Sequence, residues 1–428
     1  MGSAASPAAA VPPTPMRKKI DVRRLRPGMY VDGWCGTWMS HPFWRTRFLL
    51  ADEAELAEIH ASGVSECWVD TSKGLDPDAA TPPPQPPAEP PPAPSAPPPP
   101  PTVPPPKTTL EEELQRTVAL LNASRSAVVA MFSQARMGRA VDARTCQPLV
   151  EDIAASVARN GGALLSLARL KTHDDYTYMH SVAVCALMIA LARQLGQSEA
   201  EIREAGVAGL LHDLGKAKMP IDVLNKPGKL SDAEFTIIKS HPERGHELLQ
   251  QAGQQSALVL DVCLHHHEKM NGGGYPHGLK EGEISLAARM GAVCDVYDAI
   301  TSNRPYKQGW DPAESIARMA EWRRGHFDEA VFQAFVKSLG IYPTGSLVRM
   351  RSGRLAVVVE QHASLLTAPV VKVFYSTRSQ MHIPPELVDL ARPGCSDAIA
   401  GRESNRQWNF ARLDELWAGA DVLRQAGR

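Results

Sequence analysis

Between residues 82 and 106 the chain carries 17 of its 36 prolines. Proline fixes φ and has no backbone N–H, so such a run enters neither a helix interior nor the middle of a sheet. It reads as an extended polyproline spacer rising about 3.1 Å per residue; a proline-motif ligand for a partner is the lesser alternative. The sequence on either side must therefore bury a core of its own. A chain of 428 residues has room for two or three domains at roughly 150 residues each. Its 43% apolar content is enough to build their cores.

Charge and patterning narrow the function. With 46 Lys+Arg against 47 Asp+Glu, the chain lacks the basic footprint that duplex nucleic acid requires, and no nucleic-acid partner is expected. The longest uninterrupted apolar run, Val182 to Ala192, is 11 residues, too short for a membrane span. The Ala- and Pro-rich start has no apolar h-region, so no secretory signal is expected. Seven Cys without a CxxC pair read as reduced thiols of a cytoplasmic protein.

Five segments follow from periodicity and turn chemistry. Residues 1–16 read as a disordered tail. Residues 17–76 read as a small α+β domain, with strands near Met29–Val31 and Cys67–Asp70, a helical stretch from Leu49 to Ala61, and aromatics at Trp34, Trp38, Phe43, Trp44 and Phe48. Residues 77–107 form the proline-rich linker. From 108 to 340 nearly every segment has helical spacing, beginning with Thr108 or Thr109 as a cap and Glu111, Glu112 and Glu113 in the first turn. Helices are expected over 178–195, 199–214, 231–252, 255–268, 285–301 and 312–322. Residues 341–428 turn β-rich, with strands at 346–350, 355–359 and 370–375.

Nine of the 14 His lie between His173 and His277. The sharpest element is His212-Asp213, at the end of an apolar helical run. An imidazole beside a carboxylate in such a run needs partners or a metal. Lys216 lies three residues past Asp213 and projects to the same side. His265-His266-His267-Glu268 then leads into Asn271-Gly272-Gly273-Gly274-Tyr275-Pro276, and His180, His241 and Asp295 are further donors. Each has an ordinary explanation: a satisfied core histidine, a helix junction, a solvated cluster, an exposed charge. Taken together, five His and two carboxylates in the order H, HD, H, HH, D are not explained by separate accidents. His and carboxylate without Cys suit iron, manganese or nickel, and zinc less exclusively.

His212-Asp213-Leu214-Gly215-Lys216 resembles the HD motif of metal-dependent phosphohydrolases. His266-His267-Glu268 with Asn271 to Pro276, and Asp295 to Thr301 continuing into Arg304-Pro305-Tyr306-Lys307, resemble the HD-GYP subfamily. The resemblance covers roughly 170–335, and residues 17–76 resemble the small domain that often precedes such modules. It implies a mainly α fold, a helical HD-GYP bundle flanked by the α+β domain and the β-rich appendage. It also implies a cytoplasmic phosphodiesterase that opens cyclic di-GMP to pGpG, with the further cut to GMP left open. By motif, one metal takes His180, His212, Asp213 and Asp295. A second takes Asp213, His241, His266 and His267, so that Asp213 bridges. A hydroxide between the metals attacks phosphorus in line. Lys216 orients the phosphate or assists the leaving oxygen. Arg304 and Lys307 bind phosphate, and Gly274, Tyr275 and Pro276 edge the substrate cleft. The metals implied are two divalent ions, iron or manganese, with nickel or zinc as alternatives. His265 is left outside the metal shell.

Two positions depart from the family pattern. Asn271 replaces the usual Asp while keeping turn chemistry. Tyr176 stands where members with a third metal carry Glu, so two metals are expected rather than three. The resemblance also implies that the GYP loop meets partner proteins, including diguanylate cyclases, and a homodimer is compatible with it. The rival readings are a cyclic di-GMP receptor without turnover and an HD phosphohydrolase acting on another nucleotide.

Overall fold

A computed structural model describes residues 17–34, 48–61, 65–77, 108–139, 141–170, 176–226, 228–302, 309–362 and 364–427. The expected N-terminal tail, residues 78–107 of the linker, Trp38, Phe43 and Trp44 lie outside the described residues. The chain divides into two units, residues 1–101 and 102–428.

In the first unit, β1 (Arg17–Asp21), β2 (Tyr30–Trp34), β3 (Phe48–Leu49) and β4 (Glu66–Asp70) form an antiparallel sheet in the order β1-β4-β2-β3. The helix α1 (Glu53–Ala61) lies between β3 and β4 in sequence. Alternate strand residues Val31, Cys67 and Val69 turn inward and join Leu56 and Ile59 of the helix in one core.

The second unit begins with α2 (Leu110–Arg136). Thr109 caps it, accepting from the Glu112 N–H while the Glu112 carboxylate accepts from the Thr109 N–H. Glu113, fully buried, takes two hydrogen bonds from Arg159 and one from Ser156, and so ties α2 to α3 (Gln147–Arg169). Next come α4 (Tyr176–Gln194) and α5 (Glu199–Leu211). Every residue from Met179 to Ala192 is buried, so α4 is a core helix with no polar face. At Gly209 a Cβ would meet the Val184 carbonyl oxygen at 2.8 Å. Its absence lets the two backbones touch, which brings the end of α5 up to His180 on α4.

After α5 the chain does not continue as helix to residue 214. His212 and Asp213 form a turn, and residues 214–218 make a short 3-10 segment. The helices α6 (Ile221–Leu224), α7 (Asp232–Lys239), α8 (His241–Gln251) and α9 (Ala257–His265) follow. The expected single helix over 231–252 is in fact two, meeting at Ser240. Pro242 sits in the first turn of α8, where its missing N–H is harmless. Then come α10 (Leu286–Thr301), α11 (Pro312–His326) and α12 (Glu329–Leu339).

The C-terminal part adds β5 (Leu347–Met350), β6 (Arg354–Glu360), β7 (Val370–Ser376), β8 (Met381–Asp389) and β9 (Ile399–Arg402), an antiparallel sheet in the order β8-β7-β6-β5-β9. It ends in α13 (Asn405–Trp408), α14 (Glu415–Ala418) and α15 (Ala420–Gln425). β8 and β9 were not expected. β8 is an exposed edge strand interrupted by Pro384 and Pro385, so it carries no alternation to read. Asp311 fastens the sheet to the helices: it caps α11 through the Ala313 and Glu314 N–H groups, and its other oxygen accepts from the Leu347 N–H at 3.2 Å. The fold is mainly helical, with one small sheet toward each end of the chain.

Candidate metal centre

Five imidazoles and two carboxylates converge from α4, the α5 turn, the start of α8, the end of α9 and α10. His180 Nε2 stands 3.0 Å from Asp295 Oδ1 and 3.4 Å from Asp213 Oδ2. His212 Nε2 is 3.4 Å from the same Asp213 oxygen. On the other side, Asp213 Oδ1 is 3.2 Å from His241 Nε2 and 3.9 Å from His266 Nε2. His267 Nδ1 lies 3.6 Å from Asp295 Oδ2. Among the described residues, two groups have ligand atoms close enough to share one ion: His180, His212 and Asp213, and His241, His266 and His267. Asp213 contacts imidazoles of both groups.

The hydrogen bonds behind the rings fix their tautomers. His212 Nδ1 is 2.7 Å from the Gly209 carbonyl, and His241 Nδ1 is 2.7 Å from that of Ile238. His266 Nδ1 lies 3.0 and 3.1 Å from the carbonyls of Val262 and Cys263. A carbonyl only accepts, so each Nδ1 carries the proton and each Nε2 presents a lone pair. His180 Nδ1 is held by Asp298 at 2.6 Å. The inward-facing Nε2 atoms of His212, His241 and His266 are therefore acceptors facing acceptors. His241 Nε2 and His266 Nε2 are 3.3 Å apart, and His212 Nε2 and Asp213 Oδ1 are buried without any hydrogen-bond partner. Such an arrangement is costly unless cations stand among the lone pairs. The donor set fits divalent metal.

Electrostatics agree. Burial works against the charge of Asp213, but Lys216, His212 and His180 outweigh it and hold the carboxyl well below the usual range. Burial likewise disfavours a charged His180, yet Asp213, Asp295 and Asp298 hold it up at about 10. Three carboxylates around one ring demand positive charge there, which a proton or a metal can supply. Burial, then His267, His212 and His241, pushes His266 well below its ordinary value, leaving it neutral as a ligand must be.

Lys216 Nζ lies 2.5 Å from Asp213 Oδ2 and keeps about a quarter of its side chain exposed, so it reaches from the carboxylate to the mouth of the site. The Gly-rich loop is anchored over the centre. Tyr275 stacks on His267 with ring centroids 4.6 Å apart. The buried Glu268 carboxylate accepts the N–H groups of His277, Gly278 and Leu279 at 2.7 to 3.1 Å. At Gly274 a Cβ would lie 2.4 Å from the Glu268 Cα, so the loop needs glycine to pass that close. Asn271 Oδ1 accepts from the Gly273 N–H, a local turn. The loop includes a cis Tyr275–Pro276 bond.

His265 pairs with Asp261 and His277. Arg304 and Lys307 lie outside the described residues, as does the Tyr176 side chain. Sequence reasoning assigned no role to Asp298, Glu268 or Lys239, whose ammonium stands 5.6 Å over the Tyr275 ring. For Asp298 the available signal was its spacing of three from Asp295 on one helix.

A His-Asp pair at a helix end, met by imidazoles from neighbouring helices, defines an HD-type site, and comparison with known proteins agrees. Residues 148–331 match a family described as an HD domain, and residues 17–146 match a domain of unknown function, DUF3391. The chain is 55% identical over 405 residues to the cyclic di-GMP phosphodiesterase PA4108 of Pseudomonas aeruginosa, covering 94% of this chain and 96% of that one. The cyclic di-GMP phosphodiesterase response regulator RpfG of Xanthomonas campestris is 42% identical over 150 residues, 34% of this chain and 39% of that one. The 3′3′-cGAMP-specific phosphodiesterase 1 of Vibrio cholerae is 34% identical over 177 residues, 41% of each chain. The chain belongs to the HD-GYP family of HD-domain phosphodiesterases.

Proposed function

We propose that the chain is a metal-dependent phosphodiesterase that hydrolyses cyclic di-GMP to pGpG and then to GMP in bacterial second-messenger signalling. One observation carries this reading. The Nε2 lone pairs of His212, His241 and His266 converge on the Asp213 carboxylate in a buried pocket, where His212 Nε2 and Asp213 Oδ1 have no hydrogen-bond partner. His180, His212, Asp213 and Asp295 would hold one divalent ion, and Asp213, His241, His266 and His267 a second, iron or manganese. The ions would supply Lewis-acid stabilisation of phosphoryl charge and activation of water.

The chain's own residues do the rest. Asp213 spans both ligand groups and keeps its charge at neutral pH. Lys216 holds Asp213 and places an ammonium where a phosphate oxygen would come to rest. Tyr275, stacked on His267, forms a wall against which a base can lie. In the hydrolysis, a water oxygen adds to phosphorus as the bond to the sugar 3′ oxygen breaks, and that oxygen takes up a proton. Arg304 and Lys307 are assigned to the phosphates on motif alone. Asn271, Gly273 and His277 are exposed on the loop, which supports it as the surface a diguanylate cyclase would meet. Residues 17–76 are assigned a regulatory role.

No described helix is long and apolar enough to cross a membrane. The relative from Vibrio cholerae specific for 3′3′-cGAMP favours that dinucleotide as the second reading. Anaerobic turnover of both dinucleotides by protein loaded with iron or manganese, with metal counted on the same sample, tests the proposal. The expected result is pGpG and GMP with about two metals per chain. Full metal loading with tight cyclic di-GMP binding and no product would replace the enzyme by a receptor. Faster turnover of 3′3′-cGAMP would reassign the substrate.

A further inference from the structure

The loop that carries Tyr275 has no core of its own. A bridge between Asn271 and Lys280 closes it at the base, yet every residue from 271 to 280 is exposed or half-buried. A compact surface loop is ordinarily packed by its own side chains, so this one needs a hold from outside. Glu268, only 2% exposed, lies just before the loop, and the chain folds around it from both sides. On the way in, Gly274 passes so close that a Cβ there would lie 2.4 Å from the Glu268 Cα, and the Tyr275 N–H donates to the His267 carbonyl at 3.3 Å. On the way out, three successive N–H groups turn onto the carboxylate. His277 at 2.7 Å and Gly278 at 3.0 Å donate to Oε1, and Leu279 at 3.1 Å donates to Oε2. Gly278 has a φ of +66°, the left-handed conformation that lets consecutive N–H groups curl into a concave anion nest. The anion in this nest is the chain's own carboxylate. Both of its oxygens are committed there, and among the described residues Glu268 belongs to neither group of candidate metal ligands.

We propose that Glu268 is a positioning residue for the substrate: its carboxylate, seated among the N–H groups of 277–279, fixes the loop so that Tyr275 stays against His267 as the wall for a base. It touches neither substrate nor metal. Glu268 follows His267 in sequence, Tyr275 stacks on the His267 ring, and the nest begins two residues after Tyr275. An ionised carboxylate presents two oxygens that only accept, which is what three N–H donors require. The amide of a Gln at this position has the same shape but turns an N–H toward at least one of those donors. A rival hold on the same end of the loop is the contact of His265 Nε2 with His277 Nδ1, 3.0 Å long and on the exposed side. The role in substrate positioning rests on the reading of Tyr275 as a base wall; the hold on the loop does not.

Hydrogen exchange at the 277–279 amides and cyclic di-GMP kinetics, both on full-length, metal-loaded Glu268→Gln, test it. The variant is expected to keep the metal content of the parent and to lose protection at those three amides about tenfold or more. Its KM should rise about tenfold with kcat within about threefold of the parent. In a Tyr275→Ala background the same change should raise KM less than about twofold, because the group it positions is gone. Amides that stay protected in Glu268→Gln would give the loop to the His265 contact and overturn the proposal. A fall in kcat at unchanged KM, or loss of metal, would place Glu268 in the chemistry or the metal centre instead. Equal effects on KM with and without Tyr275 would separate Glu268 from the base wall. Should the variant fail to fold, the parent decides: chelating its metal is expected to leave the three amides protected, and loss of that protection would make the metal, not Glu268, the organiser of the loop. A parent that neither binds nor turns over cyclic di-GMP overturns the functional reading and the base wall with it, while the amides still decide whether Glu268 holds the loop.

Discussion

Asp213 touches imidazoles from both halves of the centre and Lys216 besides. Asp213→Ala is accordingly expected to lose metal and turnover together; a variant that still holds two metals per chain by elemental analysis would remove Asp213 as the bridge. Lys216→Ala should keep its metal and lower kcat about 10²–10³-fold, the usual loss for one donor aimed at developing charge. Unchanged kinetics would leave Lys216 a structural partner only. Much of this was legible in the chain, because HD and HHE are runs of adjacent letters and Asp295 opens a segment that the family resemblance marks. The partner of His180 was not. Asp298 differs from Asp295 in no letter, and only the packing of α10 against α4 decides which carboxylate meets Nε2 and which meets Nδ1.

At the scale of elements, a carboxylate at the head of α11 joins the sheet to the helices. Burial raises the Asp311 carboxyl to about 6 despite its three backbone donors. Its value is thus higher folded than unfolded, so the stability it adds is present below about pH 4 and is lost as pH rises to about 6. Compared by denaturant titration, the deficit of Asp311→Ala should be greatest near pH 4 and shrink by about 3 kcal/mol by pH 7. A deficit independent of pH would mean that the carboxyl is not shifted. Helices were the more readable elements, since caps and apolar runs mark them locally. The junction at Ser240 was missed because α7 and α8 both keep helical letters across it. β8 was missed because an exposed strand containing two prolines has no periodicity to detect.

For the molecule as a whole, the chain divides into two units, and every described residue of the metal centre lies in the second. A protein reduced to residues 102–428 is expected to retain its metal and to turn over cyclic di-GMP within about threefold of the full chain at saturating substrate, because no ligand is removed. Loss of metal from the truncated protein would show that the first unit helps to build the site. What residues 17–76 sense was not legible. Their letters specify a small hydrophobic core, and a core is compatible with many signals.

Three of the four inward-facing Nε2 atoms owe their orientation to main-chain carbonyls, at Gly209, Ile238 and the pair Val262 and Cys263. No codon change deletes a carbonyl, so substitutions at those positions leave the ring anchors standing as long as the helix ends hold. The fourth anchor is the Asp298 side chain, and a single nucleotide exchange can turn it into Asn. Among the described anchors, genetic drift can therefore disarm this centre without touching a ligand most directly at Asp298.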